Sequence, residues 1–376
     1  MDQIDIRNIE YIFRTYILPY LPLLVKFALA VIIPSVMMSS VAVLAWVERR
    51  GSAMIQDRLG PNRSNIFGFT FFGLLHSVND AVKFFTKETF IPAKARLFFY
   101  FLAPALVLVP ALLTFSVIPV AAPAEVFGVK IPFQIAELDT GILYTFAISS
   151  LAVYGLVIAG WSSGNKFSLL GGVRSASQML SYEVVLGISL ITIFMIFSEI
   201  EPYKIVEMQG DLLFGIIPKW GILLSPIAFV LFLAASYAET NRTPFDLPEG
   251  DSEIVAGYHL EYGGMKFAMF MMSEYVSMIT MSAIVVTMFF GGYQIPFFNT
   301  AKLNAVFHPL ITAAIQIASF SIKVGFFMWL YVWVRWTLPR FRYDQIMKLC
   351  YINMFPIAVA NIFITGAVIL FLNYRF

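Results

Sequence analysis

Between Glu239 and Glu261 the chain reads ETNRTPFDLPEGDSEIVAGYHLE, setting six carboxylates (Glu239, Asp246, Glu249, Asp251, Glu253 and Glu261) against one arginine, Arg242. Crowded carboxylates raise one another's proton affinity, so part of such a set holds protons near neutral pH and can exchange them. The ordinary alternative for a charge run is a solvated acidic loop. Against it stand Phe245, Ile254, Val255 and Tyr258, interleaved with the acids, and the turn formers Pro244, Pro248 and Gly250. Together they predict a folded, partly buried segment.

Two further carboxylates lie inside apolar runs, Glu183 in SQMLSYEVVLGIS and Glu274 in MFMMSEYVSMI. An ionisable side chain at the centre of a bilayer costs roughly 3 kcal/mol unless it faces a polar cavity or a partner, which makes each a functional candidate. The plainer alternative is a hydrogen-bonded structural acid, with the adjacent Tyr182 or Tyr275 as its partner in either case. Lys323, in FSIKVGFF, follows the same logic with opposite sign, suiting proton exchange or a salt bridge to one of these acids. A third cluster spans WVERRGSAMIQDRLGPNRSN and HSVNDAVKFFTKE. Glu48, Arg49 and Arg50 read first as an interfacial anchor. Asp80, Lys83 and Lys87, spaced i, i+3 and i+7, share one helical face, where a surface ion pair is the plain reading.

The elements that must position these residues are membrane helices. Of 376 residues 59% are hydrophobic and 13% charged, against about a quarter charged in soluble domains. Apolar stretches long enough to cross a ~30 Å hydrocarbon core recur throughout. They fall near 20–47, 97–119, 141–161, 179–198, 217–238, 267–290, 308–334 and 350–372. The expected fold is an all-α polytopic membrane protein of about eight spans in a single membrane domain. The stretch 66–85 is too short and too charged to be a clear ninth. If it does not cross, sixteen of the 25 Lys and Arg fall on one side and seven on the other. Basic residues accumulate on the cytoplasmic side. The split therefore puts both termini outside and makes 48–96 a cytoplasmic or interfacial excursion with amphipathic or re-entrant helix. Acidic residues ahead of the first span and no small-residue cleavage pattern predict a retained helix rather than a signal peptide.

One cysteine, Cys350, and three scattered histidines cannot build an iron–sulfur cluster or a haem site within this chain. No glycine-rich nucleotide loop is present, and a net charge of +2 gives no indication of nucleic acid. Any redox chemistry must be borrowed from partners.

Five ordered strings carry a resemblance: ERRGSAMIQDRLGPNR, NDAVKFFTKE, SSLAVYGLVIAGWSSGNKFSLLGGVRSASQMLSYEV, AETNRTPFDLPEGDSEIVAGYHLEYGGMKFAMFMMSEY and LPRFRYDQIM. Over essentially the whole chain they resemble the family of the quinone-chamber membrane subunit, the H subunit, of proton-pumping NADH:quinone oxidoreductase, respiratory complex I. The resemblance implies eight tilted helices and cytoplasmic-side amphipathic helices. It implies quinone as substrate, with flavin mononucleotide and iron–sulfur clusters in partner subunits. Those partners would be peripheral-arm iron–sulfur and quinone-site subunits, small membrane subunits and antiporter-like subunits, in a bacterial inner membrane with a periplasmic N-terminus. It assigns Glu183, Glu239, Glu249, Asp251, Glu253 and Glu274 to a proton-coupling path. Glu48, Arg49, Arg50, Arg58, Asp80, Lys83, Arg242, Asp246 and Glu261 would border the quinone chamber. Asp251 stands where the family more often has glutamate. Two other readings keep the same residues: a related subunit of a membrane-bound hydrogenase or of a ferredoxin- or F420-linked dehydrogenase, and a free-standing ion transporter. The last is expected to show inverted repeats and broken helices.

Overall fold

The computed structural model describes residues 20–126, 129–213, 217–247, 250, 254–296 and 307–373. Among them, seven helices are long and apolar enough to cross a membrane. The first, α1 (Leu21–Ile55), opens with Pro22 in its first turn, where the missing N–H is no loss. Its 35 residues extend about 52 Å at 1.5 Å per residue. That exceeds the hydrocarbon thickness, so the helix either tilts or projects beyond the bilayer. It runs past the expected end at 47 and carries Glu48, Arg49 and Arg50 as helical residues. Ser35, Ser39 and Ser40 each donate to the carbonyl four residues back, at 2.6–2.8 Å, which satisfies their hydroxyls without a partner helix.

The excursion that follows contains one regular helix, α2 (Leu75–Thr86), none of whose residues is buried. Exposed Phe67, Phe69, Phe71 and Phe72 precede it. Two bonds tie this segment to α1: Trp46 Nε1 donates to the Phe72 carbonyl at 2.9 Å and Ser77 Oγ to that of Ala42 at 2.8 Å. None of the described residues after α1 and before α3 forms a helix of membrane-spanning length.

Next come α3 (Leu97–Leu113), the hairpin β1 (Ala124–Val126) and β2 (Val129–Ile131), α4 (Gly141–Ser162) and α5 (Lys166–Phe197). Small residues let these helices approach closely. A Cβ at Gly160 would lie 2.4 Å from the Ser168 carbonyl oxygen, so only glycine admits that α4–α5 contact. The short α6 (Pro202–Gln209) and the ribbon β3 (Leu212–Leu213) with β4 (Ile217–Pro218) lead into the expected span 217–238.

That span is interrupted. A helical turn at Gly221–Leu224 ends at Ser225, and α7 (Pro226–Glu239) restarts from a proline. Fourteen residues give α7 about 21 Å. Asn361 donates to Ser225 Oγ at 3.3 Å and Thr192 Oγ1 at 3.4 Å, bringing polar partners to the break, as broken backbone at membrane depth requires. The bundle is completed by α8 (Gly264–Phe289), α9 (Pro309–Thr337), α10 (Tyr343–Lys348), a wide turn at Leu349–Met354 and α11 (Phe355–Asn373). Of the long helices α8 is the most buried. Its Val276, Met278, Ala283, Ile284, Val285 and Phe289 contribute to the main core, with Leu186, Leu190 and Ile193 of α5 and Phe232 of α7.

Candidate functional site

The C-terminal end of α7 delivers Glu239 to the head of the acidic loop. Gln178 of α5 shapes the turn that follows, its Nε2 lying 2.8 Å from the Ala238 carbonyl, 2.7 Å from that of Phe245 and 3.2 Å from Asn241 Oδ1. Glu239 is buried, and its Oε2 has no hydrogen-bond partner among the described residues. The carboxyl lines a cavity of about 30 Å3 together with Thr114, Thr145, Ser149, Ser277 and Thr280. Thr114, Thr145, Ser149 and Thr280 donate to carbonyls three or four residues back, so a water in a volume of that size would find them as acceptors. Glu183, half-buried on α5, lies within electrostatic reach of Glu239.

Three residues on, Arg242 is buried in a charged knot. Glu48, near the end of α1, accepts from Tyr275 Oη at 2.6 Å, from Arg242 Nη1 at 3.3 Å and from Arg335 of α9. The Arg242 guanidinium also lies over the Tyr275 ring, 4.3 Å from its centre, a geometry favourable for a cation on an aromatic face. Burial would lower the Arg242 pKa, but Glu48 and Tyr275 outweigh it and hold the pKa above the usual arginine range. Glu48 is therefore no surface anchor, since it ties α1, α8, α9 and the acidic loop together.

The knot continues into Asp246, whose Oδ2 accepts from Arg340 Nη2 at 2.8 Å, while Phe341 N donates to the Pro244 carbonyl at 3.1 Å. Burial pushes Asp246 up to about 6 even against the pull of Arg340. The described part of the loop is thus folded and partly buried: Phe245, Ile254 and Tyr258 are buried as expected, while Val255 is exposed. Glu274 lies near Arg242 and Asp246 and accepts from Tyr258 Oη at 3.0 Å. Its chain neighbour Tyr275 serves Glu48 instead, and Tyr182 donates to the Ile346 carbonyl at 3.0 Å. So neither flanking tyrosine partners the carboxylate beside it.

Glu261 is held at both ends: its Oε1 accepts from Asn165 Nδ2 at 2.7 Å and its carbonyl from Tyr100 Oη at 2.7 Å. Both bonds pin the loop to the α4–α5 turn and to α3. Close packing adds to this, since a Cβ at Gly171 would lie 2.6 Å from Gly257 Cα and Tyr258 N. Glu249, Asp251 and Glu253 lie outside the described residues.

On another side of α1, Arg49 Nη2 reaches Asp80 Oδ2 at 2.5 Å, and Lys83 Nζ reaches Asp80 Oδ1 at 3.1 Å. Adjacent residues Glu48 and Arg49 therefore face two different charge clusters. Arg50 Nη1 donates to the Leu59 carbonyl at 2.9 Å, and Arg58 to Gln56 Oε1 at 2.7 Å and Ser52 Oγ at 3.1 Å. These two arginines fold the turn after α1 back on itself. Among the described residues Lys323 pairs with no carboxylate: its ammonium donates to the carbonyls of Phe290, Gly292 and Gln294 at 2.9, 2.9 and 2.6 Å. It caps the C-terminal end of α8, where the helix dipole favours a cation.

Arg335, Arg340, Tyr258 and Gln178 carry the site but do not stand out in the sequence. The two arginines register there only as part of the charge asymmetry, and Arg340 also as a member of LPRFRYDQIM. Their partners lie about a hundred or more residues away.

Fold and site together define an all-α polytopic membrane protein that keeps buried carboxylates and arginines at one end of its bundle. Residues 27–366 match the family described as NADH dehydrogenase. The chain is 43% identical over 371 residues to the NADH-quinone oxidoreductase H subunit of Bdellovibrio bacteriovorus, covering 90% of this chain and 94% of that one. It is 42% identical over 325 residues to the first-numbered H subunit of Cytophaga hutchinsonii, with coverage of 86% and 91%. To the H subunit of Salinibacter ruber it is 43% identical over 347 residues, with coverage of 91% and 95%. The chain belongs to the H-subunit family of NADH-quinone oxidoreductase and is a membrane subunit of that oxidoreductase complex.

Proposed function

We propose that this chain forms one wall of a quinone chamber and couples quinone reduction to proton translocation through its buried carboxylates. The carrying observation is Glu239: a buried carboxyl with one oxygen unpartnered among the described residues, on a residue that lines a water-sized cavity beside five Ser and Thr side chains at the head of the acidic loop. A carboxyl without a fixed cationic partner can change charge without dismantling an ion pair. Glu183 and Glu274 extend the path, and Glu249, Asp251 and Glu253 belong to it on the chamber side. Arg49, Asp80 and Lys83 border the chamber with Arg50 and Arg58. Glu48, Arg242, Asp246 and Glu261 hold the wall in shape.

In this reading quinone takes two electrons from flavin- and iron–sulfur-bearing partner subunits of the peripheral arm and two protons to become quinol. The change of charge at the chamber redistributes protons along the linked carboxylates, because each titration alters its neighbours. Antiporter-like and small membrane subunits receive the effect. The chain resides in a bacterial inner membrane, its N-terminus on the periplasmic side. The quinone in its relatives' names supports this reading over that of a hydrogenase-type subunit.

The test is Glu239→Gln in the assembled complex. Quinone reductase and proton pumping are expected to fall by a factor on the order of 100, the range in which positioned proton-transfer groups act, with subunit composition unchanged. Wild-type rates in an assembled complex would refute the role.

A further inference from the structure

One face of α9 carries Phe327, Tyr331 and Arg335, whose spacing of four residues makes them neighbours on a helix surface. Each reaches a different part of the bundle. The Phe327 ring meets that of Phe229 in α7, with centroids 6.4 Å apart. Tyr331 lies against the last turn of the same helix: its ring stacks on Tyr237 with centroids 4.0 Å apart, and its hydroxyl donates to Ser236 Oγ at 3.0 Å. Arg335 pairs with Glu48 of α1, about 6 Å along α9 from Tyr331. The turn that Tyr331 touches is the one that delivers Glu239. Thr240 Oγ1 closes it by donating to the carbonyls of Ser236 and Tyr237 at 3.1 and 3.2 Å. Tyr331 is itself buried, with Glu239 and Arg242 both in electrostatic reach. Of the two stacked phenols it alone ties the turn to its neighbour, since the Tyr237 hydroxyl is buried without a hydrogen-bond partner among the described residues.

We propose that Tyr331 is a positioning residue for proton exchange at Glu239, passing movement of the Glu48–Arg335 pair through α9 to the last turn of α7. The inference rests on the reading of Glu239 as part of a proton path. Glu48 cannot change its charge without releasing Arg335, and a close-packed interior passes a displacement on rather than absorbing it. Tyr331 stands next along α9 on the same face, so it is the first side chain to carry that displacement to α7. The contact of Phe327 with Phe229 has no directional bond and tolerates sliding. The Tyr331 hydroxyl bond does not, because hydrogen bonds weaken steeply with misalignment. It therefore sets the register of the Glu239 turn against the arginine side of the charged knot, and a shift of α9 re-aims the carboxyl within its cavity.

Tyr331→Phe keeps the ring stack and removes the hydroxyl. Ser236→Ala removes the acceptor and leaves both rings in place, so it decides the matter should Y331F fail to assemble. Assembled complexes are reconstituted in vesicles, and quinone reduction and proton translocation are followed together. Protons pumped per quinone reduced are expected to fall about fivefold in either variant, the shift that loss of one ordinary hydrogen bond produces. The double variant should fall no further than Y331F, because both substitutions break the same bond. A merely structural contact would lower the melting temperature of the complex and leave the ratio of protons to quinone at its wild-type value. That result, or a double variant in which the two falls multiply, would overturn the proposal. Glu239→Gln separates this failure from that of the path itself. If E239Q pumps like the wild type, the path reading fails. If E239Q is inactive while Y331F and S236A keep the wild-type ratio, only the role of Tyr331 fails.

Discussion

Glu48→Gln offers a direct test of the charged knot beneath the acidic loop. The wild-type carboxylate accepts from Tyr275, Arg242 and Arg335, and Arg242 is only 6% exposed. Glutamine retains one acceptor oxygen but removes the charge, leaving a buried guanidinium uncompensated. Breaking a buried ion pair from one side costs about 3–5 kcal/mol. The neighbouring Glu274 and the Tyr275 ring, 4.3 Å from the guanidinium carbon, recover part of that, so the low end is expected. About 3 kcal/mol is roughly a hundredfold rise in the population of opened loop. The amide of Phe245, which donates to the Arg242 carbonyl at 2.8 Å, reports that opening by hydrogen exchange in the assembled complex. Arg242→Gln alone should also raise its exchange rate, because Glu48 then keeps only part of its compensation. The double variant E48Q/R242Q removes both charges, and its exchange should be slower than the sum of the two single effects predicts, by a coupling of at least about 1 kcal/mol. Strictly additive effects, or wild-type protection in E48Q, would show that the knot does not hold the loop.

Asp246→Asn tests the pH dependence of the same anchor. Burial raises the carboxyl above its ordinary value to about 6, so between roughly pH 4 and 6 the folded loop binds more proton than the unfolded one. Its contribution to stability therefore declines as pH rises through that window. Thermal melts of the complex at pH 5 and pH 7 should differ less in D246N than in the wild type, and an unchanged difference would refute the assignment. Gly171→Ala places a methyl 2.6 Å from the backbone of Gly257 and Tyr258. Overpacking of this kind costs about 1–3 kcal/mol, and limited proteolysis between 240 and 262 should accelerate. Lys323→Met leaves three carbonyls without their ammonium donor. Stability should fall while protons pumped per quinone reduced stay constant, whereas a change in that ratio would restore Lys323 to the proton path.

What the sequence made legible follows from what each signal depends on. Hydropathy reports local composition, so the long spans are plain, and α2 is recognisable as too short and too charged to be a clear span. The break at Ser225 is not plain, because an apolar run looks the same whether or not its backbone is continuous. Only Pro226 hints at it, and prolines also occur inside α1 and α3. The acids of the site stand out because they are improbable where they lie. Their partners do not, since Arg335 and Arg340 sit at helix ends where basic residues are commonplace. Sequence neighbours mislead in the same way. Tyr275 adjoins Glu274, yet consecutive helical residues point about 100° apart, and it is Tyr258, sixteen positions earlier, that reaches the carboxylate.

The carboxylates sort into two kinds by their partners, and the sorting bears on mechanism. Glu48 and Asp246 each answer an arginine. Protonating either one dismantles a buried pair, which ties any change of charge to movement of the loop or of α9. Glu274 accepts from the Tyr258 hydroxyl and adds to the negative charge around Arg242, and Glu239 has an oxygen without a hydrogen-bond partner among the described residues and lines a small cavity. Glu239 can gain or lose a proton while the arginine pairs remain intact. The proposed coupling role uses both properties: charges tied to the fold, and a carboxyl whose charge can change without breaking an ion pair. The distinction separates two failures that activity alone would merge. In E239Q the loop amides should keep wild-type protection while pumping is lost. In E48Q protection should be lost first, with the fall in activity following from it. If both variants disturb exchange equally, the carboxylates act as one electrostatic unit, and the division into frame and path is wrong.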